Sequence, residues 1–242
     1  MSRELKAPAC RQAWESRKPE IVLALDVDTY KKAKYFVNKL YPTIKIFKVG
    51  SQLFTASGPQ IIKFINSKGG KVFLDLKFND IPNTMVNAVR EAVKYKVSMF
   101  TVHTLSGPTA LKEVAKLCKH SKTKAIGVTI LTSICQHFLK DLGIKRKLSQ
   151  EVLYLAGMAK RSGLSGIVCS VEEARMIRKK FGKKLLIITP GIRPKQTKKD
   201  DQKRIATVEE AMKAGSDYLV IGRPILQARD PLLAVREILQ SI

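Results

Sequence analysis

The sequence lacks the features that mark several classes of protein. No apolar stretch reaches the ~20 uninterrupted residues that a membrane-spanning helix needs, and residues 1–20 lack the apolar centre of a secretory signal. The four cysteines are scattered without Cys-x-x-Cys spacing, and the three histidines show no ligand spacing either. We therefore expect a soluble, cytoplasmic protein with no membrane contact, no metal site and no disulfide framework.

Acidic residues are also scarce. The chain has 45 lysines and arginines against 20 aspartates and glutamates, which gives a net charge of +25. Such an excess raises the question of nucleic acid, but the charges are spread along the whole chain without interleaved aromatic residues. We interpret them as a solvated surface that attracts a phosphorylated substrate, and we expect no specific nucleic-acid partner. A nucleic-acid-binding protein stays open as the alternative from another functional class.

Strand-like and helix-like segments alternate from residue 21 to the end. Apolar runs typical of buried parallel strands cover residues 21–26, 44–49, 71–76, 97–103, 124–131, 166–170, 185–190 and 218–222. Segments with a 3.6-residue period lie near 29–40, 58–68, 83–95, 107–119, 149–162, 171–181, 207–214 and 230–241. Eight such units predict an α/β protein with a single closed (β/α)8 barrel, residues 21–242, after a polar N-terminal extension, residues 1–20. A dinucleotide-binding Gly-x-Gly-x-x-Gly turn is absent.

Charged residues stand where three successive apolar runs end. Asp26 follows the first run, Lys48 the second, and Asp75 and Lys77 the third. Because side chains alternate between the two faces of a strand, Asp75 and Lys77 point the same way. An exposed ion pair would explain a single pair of this kind, but acids and bases alternate along the whole predicted rim. This pattern predicts a lysine acid held between carboxylates, with Asp80 in the next loop as a second carboxylate.

Glycine-containing loops follow the last two predicted strands. They read TPGIR at residues 189–193 and IGRPI at residues 221–225. Barrels often bind phosphate at these two loops. Gly191 and Gly222 let backbone N–H groups approach an anion, and Arg223 adds a forked donor. The rim is therefore predicted to have a charged half and a phosphate-binding half.

Over residues 20–240 the chain resembles the orotidine 5′-monophosphate decarboxylase family. The resemblance is carried by DLKFNDIPNT at residues 75–84, together with LD at 25–26, FKVG at 47–50, VTILTS at 128–133, TPGIR, DDQ at 200–202 and IGR at 221–223. It implies an enzyme without a cofactor that converts orotidine 5′-monophosphate to uridine 5′-monophosphate in pyrimidine biosynthesis. It also implies a homodimer with shared active sites.

The resemblance implies roles for individual residues. Lys77 would donate a proton to carbon 6 of the pyrimidine after carbon dioxide leaves, Asp75 would lie beside the substrate carboxylate, and Asp80 would come from the other subunit. The ribose hydroxyls would be held by Asp26, Lys48 and Thr84, with Lys48 also part of the charge array. Thr132 would bind near the pyrimidine. The phosphate side would be lined by Arg193, Gln202, Gly222 and Arg223.

The segment 192–206 is predicted to be a lid, because it is long, charged and without an apolar period. His103, after the fourth predicted strand, is interpreted as a hydrogen-bonded rim histidine rather than a general base.

A second enzyme class stays open, because sugar-phosphate relatives such as 3-keto-gulonate 6-phosphate decarboxylase and hexulose 6-phosphate synthase share Asp-x-Lys-x-x-Asp and require magnesium. Those relatives carry an acid after strand two, where this chain has Lys48, whose charge would repel Mg²⁺.

Overall fold

Eight parallel strands form a closed barrel. The computed structural model describes residues 18–193 and 205–242. In this part of the chain every strand pairs with its neighbours in sequence, and the last strand pairs with the first. The strands are β1 Glu20–Ala24, β2 Ile46–Gly50, β3 Lys71–Phe78, β4 Met99–His103, β5 Lys124–Val128, β6 Gly166–Val168, β7 Leu186–Thr189 and β8 Tyr218–Ile221.

Eleven α-helices surround the barrel within the described residues. They are α1 Tyr30–Leu40, α2 Ser51–Ser57, α3 Gln60–Ser67, α4 Pro82–Lys94, α5 Gly107–Cys118, α6 Gln136–Asp141, α7 Leu148–Arg161, α8 Val171–Phe181, α9 Val208–Lys213, α10 Arg223–Leu226 and α11 Pro231–Gln240. Short 3-10 turns occupy Thr104–Ser106 and Gly182–Lys184. None of the helices described is long and apolar enough to cross a membrane.

The predicted alternation of eight strands and eight helices is confirmed. The sequence did not predict three short helices of four to seven residues, α2, α6 and α10, because segments of this length show no clear apolar period. The equally short α9 was predicted, and its Thr207 cap and first-turn acids mark its start. Four strands end two or three residues from the predicted position, and β1 and β6 each stop two residues early. β5 stops at Val128 instead of 131, and β3 runs on to Phe78, where it still pairs with β4. Glu20 already belongs to β1, and residues 1–17 of the predicted extension lie outside the described residues.

Two layers of apolar side chains form the core. Outward-facing strand residues such as Leu23, Phe47 and Leu74 pack against the helices. Inward-facing residues fill the barrel, and include Val22, Ile46, Phe73, Met99, Ile126, Ile188 and Tyr218. Because side chains alternate along a strand, the inward positions that follow Ala24, Ile46 and Phe73 fall on Asp26, Lys48 and Asp75. The barrel interior thus changes from apolar to charged at its C-terminal mouth.

Arg178 ties α8 to the N-terminal ends of β7 and β8. Its guanidinium donates to the backbone oxygens of Gly215 at 2.7 and 3.0 Å and of Gly182 at 2.8 Å, and its Nη2 lies 2.5 Å from the Oδ2 of Asp217. The same Oδ2 accepts from the backbone N–H of Ile187 at 2.7 Å. The arginine is buried, with 4% of its surface exposed, whereas the side chain of Asp217 is 30% exposed.

We expect Arg178→Met to destabilise the protein by about 1–3 kcal/mol, because it leaves the backbone oxygens of Gly215 and Gly182 without their buried donor and the Asp217 carboxylate without its cation. The free energy of unfolding in urea measures this. Arg175→Met, on the exposed face of the same helix, is the matched control and should change it by less than about 0.5 kcal/mol. Equal effects of the two substitutions would contradict a structural role for the network.

Candidate active site

A cleft of about 260 Å³ opens at the C-terminal mouth of the barrel. Its walls combine apolar residues of the barrel interior, among them Phe73, Val128 and Ile188, with polar ones. The predicted site residues that line it are Asp26, Lys48, Asp75, Lys77, Thr132, Arg193, Gly222 and Arg223. The structure therefore brings together, in one cleft, residues from strand ends that lie up to 197 positions apart in the chain (26 to 223).

Four charged side chains of alternating sign form a continuous row on one wall. The Nζ of Lys48 lies 3.0 Å from the Oδ1 of Asp26 and 3.5 Å from the Oδ2 of Asp75. The other oxygen of Asp75, Oδ1, lies 3.0 Å from the Nζ of Lys77. Asp75 is therefore held between two ammonium groups, whereas the sequence pattern predicted a lysine held between two carboxylates.

Burial and charge act against each other in this row. Burial by itself would raise the pKa of the Asp75 carboxyl, but the charges of Lys48 and Lys77 outweigh it and lower that pKa below its usual value. Burial likewise opposes the charge of Lys48, yet Asp75 and Asp26 raise the pKa of its ammonium. Both groups consequently stay ionised at neutral pH. Both lysines line the cleft, but the side chain of Lys77 is 40% exposed against 12% for Lys48, so the Lys77 ammonium is the more open of the two.

Gly50 makes room for this row. It pairs in register with Asp75 at the end of β2. A Cβ on Gly50 would come within 3.2 Å of the Nζ of Lys48 and 3.6 Å of the Oδ1 of Asp26. A larger residue would therefore press on the Lys48 ammonium and its carboxylate partner.

The loops predicted from the sequence to bind phosphate adjoin the charge row at its Asp26 end, since β8 pairs with β1 and a Cβ on Gly222 would lie 3.5 Å from the Oδ2 of Asp26. Gly191 has a φ of 78°, a conformation that favours glycine. A Cβ on Gly222 would lie 3.3 Å from the Cβ of Ala24, so the chain can approach β1 this closely only without a side chain. Arg193 is buried, and Arg223 opens α10 directly after Gly222. The two arginines give this side of the cleft its positive charge.

Asp80 and Thr84 do not line the cleft of their own chain. Both are exposed, and the Oδ1 of Asp80 accepts a hydrogen bond from the backbone N–H of Ile81 at 2.7 Å, just before α4 begins. Gln202 lies outside the described residues, as does most of the predicted lid. The two ends of that segment are held together, since the N–H of Arg193 donates to the oxygen of Ala206 at 2.9 Å.

Thr101 is the residue that the sequence analysis missed. Its hydroxyl donates to the Oδ1 of Asp75 at 2.9 Å and accepts from the backbone N–H of Lys77 at 2.8 Å. It lies in β4 and is completely buried. The available signal was a hydroxyl residue at an inward position of an otherwise apolar strand, next to the strand that carries Asp75.

His103 stands at the end of β4 as a hydrogen-bonded rim residue. Its Nδ1 accepts from the backbone N–H of Leu105 at 3.3 Å, and the residue does not line the cleft. Burial, and then the positive charge of Lys77, lower the pKa of its imidazole. The ring is therefore neutral at pH 7 and caps the short turn that follows β4, as expected.

A family model described as "Orotidine 5'-phosphate decarboxylase / HUMPS family" matches residues 19–238. The chain belongs to this family. An orotidine 5′-phosphate decarboxylase from Saccharophagus degradans is 44% identical over 222 residues, 91% of this chain and 93% of the relative. A crystal structure of the orotidine 5′-phosphate decarboxylase of Lactobacillus acidophilus superposes with a TM-score of 0.82 at 36% identity, covering 93% of this chain and 98% of that one.

The chain is also similar to a crystal structure of the orotidine 5′-monophosphate decarboxylase from Methanocaldococcus jannaschii, complexed with the inhibitor BMP. It superposes with a TM-score of 0.73 at 25% identity, covering 91% of this chain and 97% of that one. The family and the barrel fold expected from the sequence are confirmed. The family description includes a second group, HUMPS, so the choice of reaction depends on the residues in the cleft.

Proposed function

We infer that the chain decarboxylates orotidine 5′-monophosphate to uridine 5′-monophosphate, in pyrimidine biosynthesis, with Lys77 as the proton donor. The observation that carries this proposal is the position of the Lys77 ammonium. It is open to the cleft, yet it lies 3.0 Å from a carboxylate that a second lysine holds ionised. The relatives named above support the same reaction.

The reaction needs a fixed cation at one carbon atom. When the bond between carbon 6 and the carboxylate breaks, carbon dioxide leaves and the electron pair stays on carbon 6. No ring position delocalises this pair, so a preorganised positive charge has to stabilise it. The Lys77 ammonium supplies that charge and then its proton, which gives uridine 5′-monophosphate. Water returns the proton to the resulting amine.

Asp75 has two effects in this mechanism. Its negative charge keeps the Lys77 ammonium oriented towards carbon 6. Because it stays ionised, it also repels the neighbouring substrate carboxylate, and this repulsion is relieved when carbon dioxide leaves. Asp26 and Lys48 hold the ribose hydroxyls, and Thr132 lies near the pyrimidine.

The phosphate is bound far from the reacting carbon. We assign it to Arg193, Gln202, Gly222 and Arg223, with segment 192–206 closing over it. Binding energy from such a remote group can serve the reaction at carbon 6.

Lys77→Ala should abolish turnover and leave the fold intact, because the transition state loses both its cation and its proton donor. Loss of orotidine 5′-monophosphate, followed by absorbance, measures this, and circular dichroism checks the fold. Lys94→Ala, which removes an exposed lysine on α4 paired with Glu91, is the control and should keep full activity. Near-normal activity of Lys77→Ala would disprove the mechanism.

We propose in addition that the enzyme is a homodimer whose subunits share their active sites. Asp80 and Thr84 would then complete the cleft of the partner. Both are exposed and absent from the cleft of their own chain, which supports this assignment. Two apolar side chains near the same mouth are also largely exposed, Ile81 at 67% and Leu105 at 53%, and a partner subunit would cover them.

Mixing two inactive homodimers tests the shared site. If Asp80 acts in the partner's cleft, Asp80→Ala and Lys77→Ala are each inactive, but one of the two sites in a heterodimer has both residues intact. Equal amounts should therefore recover about a quarter of the wild-type sites when subunits exchange freely. Activity that stays at zero after exchange has been verified would show that Asp80 acts in its own chain.

We further propose that the reaction requires no metal. The magnesium-dependent alternative needs an acid at position 48, whereas the Lys48 ammonium lies within 3.5 Å of both Asp26 and Asp75. The expected cytoplasmic location and the lack of a specific nucleic-acid partner stay predictions.

Activity should be unchanged after treatment with EDTA and dialysis, because the Lys48 ammonium already neutralises the two carboxylates that would attract Mg²⁺. The same absorbance assay, with and without added Mg²⁺, checks this. Activity that disappears in EDTA and returns with Mg²⁺ would place the enzyme among the sugar-phosphate relatives.

A further inference from the structure

β3 departs from regular pairing where its charged residues begin. Leu74 pairs with Phe100 and Phe78 pairs with Val102, so the three residues 75–77 lie opposite Thr101 alone. A regular parallel ladder would place one residue opposite one. The extra residues form a bulge next to the cleft, and bulges at such places redirect side chains.

Lys77 adopts a strained backbone in this bulge. Its φ is 50°, in the left-handed region that residues other than glycine, asparagine and aspartate rarely adopt. Such a conformation persists only where its surroundings hold it. The hydrogen bond that holds it here is the one from the Lys77 N–H to the Oγ1 of Thr101, at 2.8 Å.

The direction of the second hydrogen bond follows from the first. A hydroxyl has one proton to donate, and the Thr101 oxygen accepts from the Lys77 N–H. Its proton therefore goes to the Oδ1 of Asp75, at 2.9 Å. The same Oδ1 lies 3.0 Å from the Nζ of Lys77. The Thr101 hydroxyl thus closes a ring that contains the backbone and the ammonium of Lys77 and one oxygen of Asp75.

We propose that Thr101 is a positioning residue for the decarboxylation, whose hydroxyl sets the geometry of the Asp75 carboxylate and the Lys77 ammonium. This inference rests on the proposed function of Lys77. Thr101 does not line the cleft, so its effect reaches the substrate only through these two residues.

Loss of the hydroxyl has two consequences at the site. The Lys77 N–H loses its acceptor, so the backbone can leave the left-handed region and carry the ammonium away from carbon 6. Asp75 loses a donor that, after the two lysines, helps to lower the pKa of its carboxyl. Catalytic groups have to be held to within about 0.5 Å of their working positions, so turnover should fall more than substrate binding.

The pH dependence should change in a defined direction. A hydrogen bond to a carboxylate favours its charged form, so its removal raises the pKa of Asp75 and moves the acid limb of the kcat profile to higher pH. Other charged or titratable groups around Asp75 stay in place in the variant. They are Asp26 after β1, Lys48 on β2, Lys77 on β3, His103 on β4, Arg193 after β7 and Arg223 after β8.

The experiment compares Thr101→Val with Thr101→Ser and a matched control. Thr101→Val keeps the shape of the side chain and removes the hydroxyl. We expect kcat to fall about 10- to 100-fold, the range for a lost hydrogen bond to a charged group, with KM changed less than threefold. Thr101→Ser retains the hydroxyl and should keep kcat within about threefold of the wild type. Its acid limb should also match that of the wild type.

Thr123→Val is the control for a purely structural effect. Thr123 is also a buried threonine, 7% exposed, and its hydroxyl donates to the oxygen of Val97 at 2.8 Å. It lies just before β5, at the opposite end of the barrel. This variant should lose stability with kcat and the acid limb unchanged. Thr101→Cys, with a thiol that is a weak hydrogen-bonding group, replaces Thr101→Val if that variant does not fold.

Two results would overturn the inference. The same kcat and the same pH profile for Thr101→Val and Thr123→Val would make the Thr101 hydroxyl structural only. A Thr101→Ser variant as impaired as Thr101→Val would assign the effect to the methyl group. A wild-type protein that does not act on orotidine 5′-monophosphate would refute the proposed function and this inference with it. The wild-type assay therefore distinguishes failure of the proposed function from failure of the Thr101 inference alone.

Discussion

The ionised Asp75 carboxylate is the constraint on which the site depends. A buried carboxylate is costly unless cations and hydrogen-bond donors surround it. Here Lys48 and Lys77 lie on either side, and Thr101 donates to it. The backbone is adapted to the two lysines. Gly50 leaves room for the Lys48 ammonium. A bulge in β3, with Lys77 in the left-handed conformation, accompanies the contact between the Lys77 ammonium and the Asp75 carboxylate.

The closed barrel supplies the rigid frame for this arrangement. Its parallel strands bring their C-terminal ends to one mouth, so residues far apart in the chain share a cleft. Away from this mouth, the strands are held by the two apolar layers and by the Arg178 network at the N-terminal ends of β7 and β8. This separation allows the catalytic mouth to hold strained and charged groups while the opposite end of the barrel keeps the strands together.

The charges of the cleft suit an anionic substrate. The charge row contains two acids and two bases, Asp26, Lys48, Asp75 and Lys77, so its net charge is zero. It creates strong electric fields close to its side chains but does not attract an anion over a longer distance. The loops after β7 and β8 add Arg193 and Arg223 to the lining of the cleft. In the proposed function these arginines, together with the net charge of +25, would draw a phosphorylated substrate to the cleft, and the neutral row would act on the atoms that react.

The sequence by itself determined the eight strand-helix units and placed Asp26, Lys48 and Asp75 at the ends of strands, because apolar periodicity is a local property. It also supplied Lys77, but the regular alternation of side chains that predicted its direction is interrupted by the bulge at residues 75–77. Only the tertiary structure decided the rest. Thr101 is 26 positions from Asp75, and no local spacing shows that three residues of β3 face it alone. Asp80 and Thr84 belong to the same sequence motif as Lys77, yet they lie outside the cleft of their own chain, because β3 ends at Phe78 and the chain then turns into α4. Register and strand ends depend on contacts between distant segments, and these form only when the barrel closes.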